Sequence, residues 1–186
     1  MRRAIFLDRD GVVNEEVDFL HRPEDVILIP GLGEAVGKIH AAGCLAIVIS
    51  NQSGVARGMF GMDAVKAVEA RICELLRQSG SEVPDAFYYC PHHVKGIVPE
   101  FSFQCDCRKP RPGMFLQAIR EWGIAPSLSG MIGDRLTDLQ AAKAAGCADG
   151  VLVETGYGKN LVQQAAAEGW HVEPSVLEAV EYLLKK

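Results

Sequence analysis

The chain has 186 residues, 48% hydrophobic and 23% charged, with 19 Lys and Arg against 24 Asp and Glu for a formal net charge of −5. That length suits one domain, residues 1–186, with a sizeable core, and the negative balance argues against nucleic acid held by bulk electrostatics. No apolar stretch approaches a membrane span, and the apolar run after Met1-Arg2-Arg3 breaks at Asp8, too soon for a signal peptide. The cytoplasm is therefore the expected compartment, with no membrane or nucleic-acid partner.

The first predicted strand, Ala4–Leu7, is an apolar run that stops at Asp8-Arg9-Asp10-Gly11. An apolar run of strand length ending in a polar residue reads as a buried parallel strand whose C-terminal tip carries chemistry. Where the strand gives way to a turn, two acids one residue apart can both face a ligand above the sheet edge. The Asp8 carboxylate can attack phosphorus, Asp10 can protonate the departing oxygen, and Gly11 permits the sharp turn. The spacer Arg9–Gly31 is long and irregular, as functional loops tend to be.

The second predicted strand, Leu45–Ser50, ends in a small hydroxyl. Ser50, Asn51 and the following backbone N–H groups can hold phosphoryl oxygens. Asn51-Gln52-Ser53-Gly54-Val55-Ala56-Arg57-Gly58 then reads as a glycine-punctuated phosphate loop with one cation. Asp63 is the expected N-cap of a helix burying Val65, Val68, Ile72, Leu75 and Leu76.

A third strand, Ala86–Cys90, leads into an irregular segment, Pro91–Pro112. Cys90, His92, Cys105 and Cys107 form a Cys-x-His … Cys-x-Cys set across it. Three thiolates and one imidazole match a closed structural Zn²⁺ site, in a loop of about residues 90–107. A reducing compartment disfavours disulfides. His93 is the weaker histidine candidate and Asp106 is not expected to ligate, while Cys44, Cys73 and Cys147 read as small buried hydrophobes. Zinc at Cys107 would fix the backbone just before Arg108 and Lys109, the natural cations for phosphate, in a segment stiffened by Pro110 and Pro112.

Pro112 suits the first turn of a helix presenting Phe115, Ile119 and Trp122. A fourth strand, Gly130–Gly133, ends at Asp134, with Asp138 in the first turn of a helix that carries Leu139, Ala142 and Ala145 and stops at Gly146. A fifth strand covers Gly150–Val153, and Ser175 caps a last helix with Val176, Ala179, Val180 and Leu183. Strands alternating with helices predict an α/β fold, a five-stranded parallel sheet covered on both faces. Asp8, Asp10, Ser50, Asp134 and Asp138 then meet at one edge. So many carboxylates repel one another unless a divalent cation neutralises them, which implies Mg²⁺.

In this order the residues resemble the haloacid dehalogenase (HAD) superfamily of aspartate-dependent phosphohydrolases. Asp8-x-Asp10-Gly11 is similar to its first motif, Ser50 to its second, Lys109 to its third, and Gly133-Asp134 with Asp138 to its fourth; Val12, where the family often has Thr, is a mild departure. The resemblance implies a Rossmann-like core with strand order 3-2-1-4-5 and an aspartyl-phosphate intermediate. It also implies Mg²⁺ held by Asp8, Asp134 and the backbone carbonyl of Asp10. Both spacers that could hold a cap domain are too short for one, so a capless protein with an open site, acting as a monomer, is expected.

The zinc loop with Arg108-Lys109-Pro110 and Asn51-Gln52-Ser53-Gly54 resembles the branch containing D-glycero-D-manno-heptose-1,7-bisphosphate 7-phosphatases and histidinol-phosphatases. That implies a sugar bisphosphate as the partner, cleaved at C7 during synthesis of nucleotide-activated heptose for bacterial lipopolysaccharide or other glycans. Histidinol phosphate is the alternative. Asp8 would be nucleophile and Asp10 acid/base, with Ser50 and Lys109 stabilising the phosphoryl group. Glu16, Val17, Asp18, Phe19, Ser50, Asn51, Gln52, Ser53, Arg108 and Lys109 would contact substrate. Arg108 can fork onto a second phosphate, whereas Glu15, Glu16 and Asp18 would suit a cationic ester. Two non-enzymatic readings compete: a receiver-like signalling domain, whose phosphoacceptor would lie on a later strand than the metal-binding acids, and a zinc-stabilised interaction module.

Overall fold

A computed structural model describes residues 1–186. Five strands fall where the apolar runs predict them: β1 (Ala4–Leu7), β2 (Leu45–Asn51), β3 (Ala86–Cys90), β4 (Gly130–Gly133) and β5 (Asp149–Val153). A sixth strand, β6 (His171–Glu173), lies outside the five-strand expectation. It has only three residues, all half-buried, so it lacks an apolar run; pairing with β5 at the sheet edge makes it a strand. The sheet is wholly parallel with order β3-β2-β1-β4-β5-β6, the predicted order extended by that edge.

Six helices connect and cover the strands: α1 (Leu32–Ala41), α2 (Met62–Gln78), α3 (Gly113–Trp122), α4 (Leu136–Ala144), α5 (Val162–Ala167) and α6 (Val176–Leu184). Side chains on a strand alternate between faces, so β1 splits its residues between two cores. Ile5 and Leu7 pack with Leu32, Val36 and Ile39 of α1, Val68 and Ile72 of α2, and Val176 and Val180 of α6. Ala4 and Phe6 face the other way, toward Met114, Phe115 and Ala118 of α3 and Leu139 and Ala142 of α4. The Phe6 and Phe115 rings meet at 4.8 Å between centroids.

Ser175 caps α6 as predicted, its Oγ accepting from the Leu177 N–H at 3.2 Å. The expected cap of α2 is corrected: Gly61, not Asp63, holds the N-cap position. An N-cap needs extended backbone, which Gly61 has (φ −92°, ψ 176°), whereas Asp63 already lies inside the helix. Between β1 and α1 the chain forms only turns, isolated bridges and a 3-10 turn at Pro23–Asp25, and no domain interrupts Gln52–Gly61. No helix is long and apolar enough to cross a membrane.

Candidate active site

Two central strands deliver the acids. The Asp8 N–H still donates to the Ile132 carbonyl at 3.0 Å, continuing the β1–β4 ladder, so the Asp8 side chain emerges at the sheet edge. The chain then turns sharply, with Val13 and Asn14 N–H both donating to the Arg9 carbonyl and Gly11 at φ +83°. Asp134, fully buried, follows β4. The backbones of Gly11 and Gly156 close over it: a Cβ on either would fall 2.3 Å from Asp134 Oδ2. Only glycine fits at both points.

Asp8, Asp134 and Asp138 each offer a carboxylate oxygen, and these lie within 4.8 Å of one another. Burial pushes Asp8 up to about 7 against the pull of Lys109. Burial, then Asp8 and Asp138, pushes Asp134 to about 8. One cation answers them directly. The Lys109 ammonium, 4% exposed as a residue, donates to Asp8 Oδ1, Asp138 Oδ1 and the Ile49 carbonyl, each at 2.8 Å. All three of its N–H groups are therefore used. Three carboxylates against one ammonium leave two negative charges, which one divalent cation neutralises. Asp134 Oδ2 accepts from the Tyr157 N–H at 2.8 Å, but its buried Oδ1 has no partner. An orphaned buried carboxylate oxygen beside two other carboxylates fits a magnesium ligand set.

Asp138 has two tasks. Its Oδ2 accepts from the Arg135 N–H at 3.0 Å at the start of α4, while Oδ1 takes the Lys109 ammonium. Ser50, 1% exposed, accepts a hydrogen bond from Gln52 Nε2 at 2.9 Å. Asp8 Oδ1 accepts from both Lys109 and the Arg9 N–H, and Oδ2 accepts no protein hydrogen bond. One oxygen of the expected nucleophile is anchored and the other is free.

A cleft of about 350 Å³ opens over these groups. Every residue expected to touch substrate lines it: Glu16 to Phe19 from the loop after β1, Ser50 to Ser53 from the tip of β2, and Arg108 with Lys109. Burial first, then Asp10, pushes Glu16 up to about 7. The half-buried Arg108 guanidinium is shifted down by burial and, more weakly, by Arg57 and Arg135, so several cations share the cleft region.

Cys90, His92, Cys105 and Cys107 form a second cluster, each offering one ligand atom within 4.8 Å of the others. The sulfurs stand 3.1 to 3.5 Å apart, and His92 Nδ1 lies 3.2 Å from Cys107 Sγ. These separations exclude a disulfide, which needs about 2.05 Å, and the donor set is one that zinc takes. His93 points elsewhere, accepting from the Lys95 N–H, and the Asp106 side chain is 99% exposed.

A HAD-hydrolase-like family model matches residues 106–179. A D-glycero-D-manno-heptose-1,7-bisphosphate 7-phosphatase from Thermosynechococcus vestitus is 40% identical, over 98% of this chain and 95% of its own. A D-glycero-β-D-manno-heptose-1,7-bisphosphate 7-phosphatase from Haemophilus ducreyi is 38% identical, over 98% of each. The chain belongs to the heptose-1,7-bisphosphate 7-phosphatase family of HAD-like hydrolases. The crystal structure of D,D-heptose 1,7-bisphosphate phosphatase from B. bronchiseptica, complexed with magnesium and phosphate, superposes with a TM-score of 0.86 at 36% identity, over 98% of both chains.

For a heptose bisphosphatase family member, four features of the site escaped the sequence reading. Arg135 lines the cleft with its guanidinium 3.7 Å above the Tyr157 ring, and Tyr157 lines it too. An arginine next to a predicted acid tip is a signal that could have found the first. Arg9 is buried beside Asp10. The side chain of Asn51 is turned to the protein: its Oδ1 accepts from the Lys109 N–H at 3.1 Å and its Nδ2 donates to the Lys109 carbonyl at 3.2 Å. Both ends of the amide grip the backbone that carries the ammonium.

Proposed function

We propose that the protein hydrolyses the C7 phosphate ester of D-glycero-D-manno-heptose 1,7-bisphosphate, giving heptose 1-phosphate and inorganic phosphate. The full-length identity with the heptose bisphosphatases carries the choice of ester. In the first step Asp8 Oδ2 forms a bond to phosphorus as the bond from phosphorus to the C7 oxygen breaks. Asp10 gives its proton to that oxygen. In the second step a water oxygen bonds to phosphorus, the bond to Asp8 Oδ2 breaks, and Asp10 takes the proton from water. Lys109, the Ser50 hydroxyl and the N–H groups of the following loop face the charge on the phosphoryl oxygens.

Magnesium, when bound, would be held by Asp8, Asp134 and the backbone carbonyl of Asp10, and would supply positive charge at the transferring group. The protein acts as one domain, as a monomer, in the cytoplasm, where three thiolates stay reduced. Histidinol phosphate is the second reading, favoured by the carboxylates of Glu16 and Asp18 in the cleft. Phosphorus NMR on both heptose bisphosphate anomers and on histidinol phosphate tests the choice. Loss of the C7 resonance alone is expected, and faster turnover of histidinol phosphate would overturn it.

Arg108 reads the distal phosphate in this account. Arg108→Ala should cost about 10–100-fold in kcat/KM on the bisphosphate, the worth of one charge-assisted contact. A monoester lacking the second phosphate should lose far less, and steady-state kinetics on the pair checks it.

Zinc, when bound, would be held by Cys90, His92, Cys105 and Cys107. It would order the loop that ends at Arg108 and Lys109. Removing zinc in the presence of ample Mg²⁺ should lower the melting temperature and cut turnover by about 100-fold, the cost of a misplaced group. Zinc content, melting and rate are measured on one sample; unchanged activity in zinc-free protein would defeat the role.

A further inference from the structure

Arg9 is the largest fully buried side chain in the molecule, at 0% exposure. A guanidinium is almost never buried this way unless it is paired. Its one ionic partner is Asp10. Nε and Nη2 donate to Asp10 Oδ1 at 3.1 and 3.0 Å, and Nη2 also donates to Oδ2 at 3.0 Å. Two amides complete the shell: Asn14 Nδ2 donates to Oδ1 and Gln52 Nε2 to Oδ2, each at 3.0 Å. Arg9 Nη2 also reaches the Leu20 carbonyl at 3.4 Å, at the end of the loop that carries Glu16 to Phe19.

The torsion that spins a carboxylate about its own axis is ordinarily broad. Here a planar fork on one side, the Asn14 amide of the same turn and the Gln52 amide beyond β2 remove that freedom. The Asp10 side chain is still 19% exposed, so the shell holds it without sealing it from the cleft. A lysine at this position would keep the charge but not the fork.

We propose that Arg9 is a positioning residue for Asp10, fixing the carboxylate so that its proton meets the leaving oxygen. The inference rests on the reading of Asp10 as acid/base. It assigns a task to a side chain that touches neither substrate nor phosphate, and it makes the buried pair part of the catalytic geometry.

Leaving-group dependence separates this task from a structural one. A sugar alkoxide needs a proton to depart, whereas p-nitrophenolate leaves as a stable anion. kcat/KM reports events up to that departure, so hydrolysis of the phosphoenzyme does not mask the difference. Arg9→Lys should lower kcat/KM by about 30-fold on heptose 1,7-bisphosphate and less than about 3-fold on p-nitrophenyl phosphate. In an Asp10→Asn background, Arg9→Lys should add no further loss on the sugar ester.

Equal losses on the two esters, or full additivity with Asp10→Asn, would overturn the inference. Arg9→Gln serves where Arg9→Lys does not fold. If neither gives a cooperatively melting protein, the guanidinium is required by the fold and the positioning claim falls. Asp10→Asn alone distinguishes the layers. Equal losses there would sink the acid assignment, and this inference with it. A split in Asp10→Asn without one in Arg9→Lys would sink only the role of Arg9.

Discussion

Asp8→Asn should abolish turnover, by at least about 10⁴-fold, while leaving the protein folded. The amide keeps the shape of the carboxylate, and its oxygen can still accept from the Lys109 ammonium and the Arg9 N–H that now reach Asp8 Oδ1. What it loses is the free oxygen that would bond to phosphorus. It also takes one negative charge out of a group in which burial already holds Asp8 near 7 and Asp134 near 8. In magnesium-free buffer the variant should therefore melt no lower than the parent, and magnesium should stabilise it less. Single-turnover assays with paired melting curves check both parts. A variant that folds and hydrolyses its ester at the parent rate would remove Asp8 from the chemistry.

The second large effect is expected at Lys109. Its ammonium is the only cation hydrogen-bonded within the cluster of Asp8, Asp134 and Asp138. Lys109→Met keeps the length of the side chain and deletes the charge. Two buried carboxylate oxygens and the Ile49 carbonyl lose their donor, an uncompensated burial that typically costs about 3–5 kcal/mol. Denaturant melts without magnesium should show that loss. Magnesium should restore stability, because the extra negative charge favours the ion, and calorimetry should find it bound at least as tightly as in the parent. Turnover should stay down by about 10²–10³-fold, the worth of a fixed positive charge lost from beside the phosphoryl oxygens. Rescue of rate together with stability would show that Lys109 only balances charge.

Much of this site was legible because its parts stand at the ends of apolar runs. Asp8, Ser50 and Asp134 each follow a run that could only be a buried strand, and a parallel sheet brings such tips to one edge. The Cys and His spacing likewise named its four ligand candidates before any geometry. The unread parts depend on contacts between distant segments. Arg9 between two acids looks like a solvated residue, and only the turn over Gly11 and the Leu20 carbonyl reveal a buried one. Asn51 lines the cleft, but its second task, an amide gripping the backbone of Lys109 58 residues later, leaves no mark in the sequence. The strand β6 has too few residues for a pattern and exists because β5 offers it an edge. Arg135 sits at the start of α4, where its guanidinium is aimed by the Tyr157 ring rather than by its own helix.

The reaction is tested most directly by rapid acid quench of the magnesium-loaded protein with heptose bisphosphate carrying radioactive phosphorus at C7. The label should appear transiently on the peptide containing Asp8 and then as inorganic phosphate, while the C1 phosphate stays on the sugar. Label on any other peptide, no acid-stable label during turnover, or release of the C1 phosphate would contradict the account.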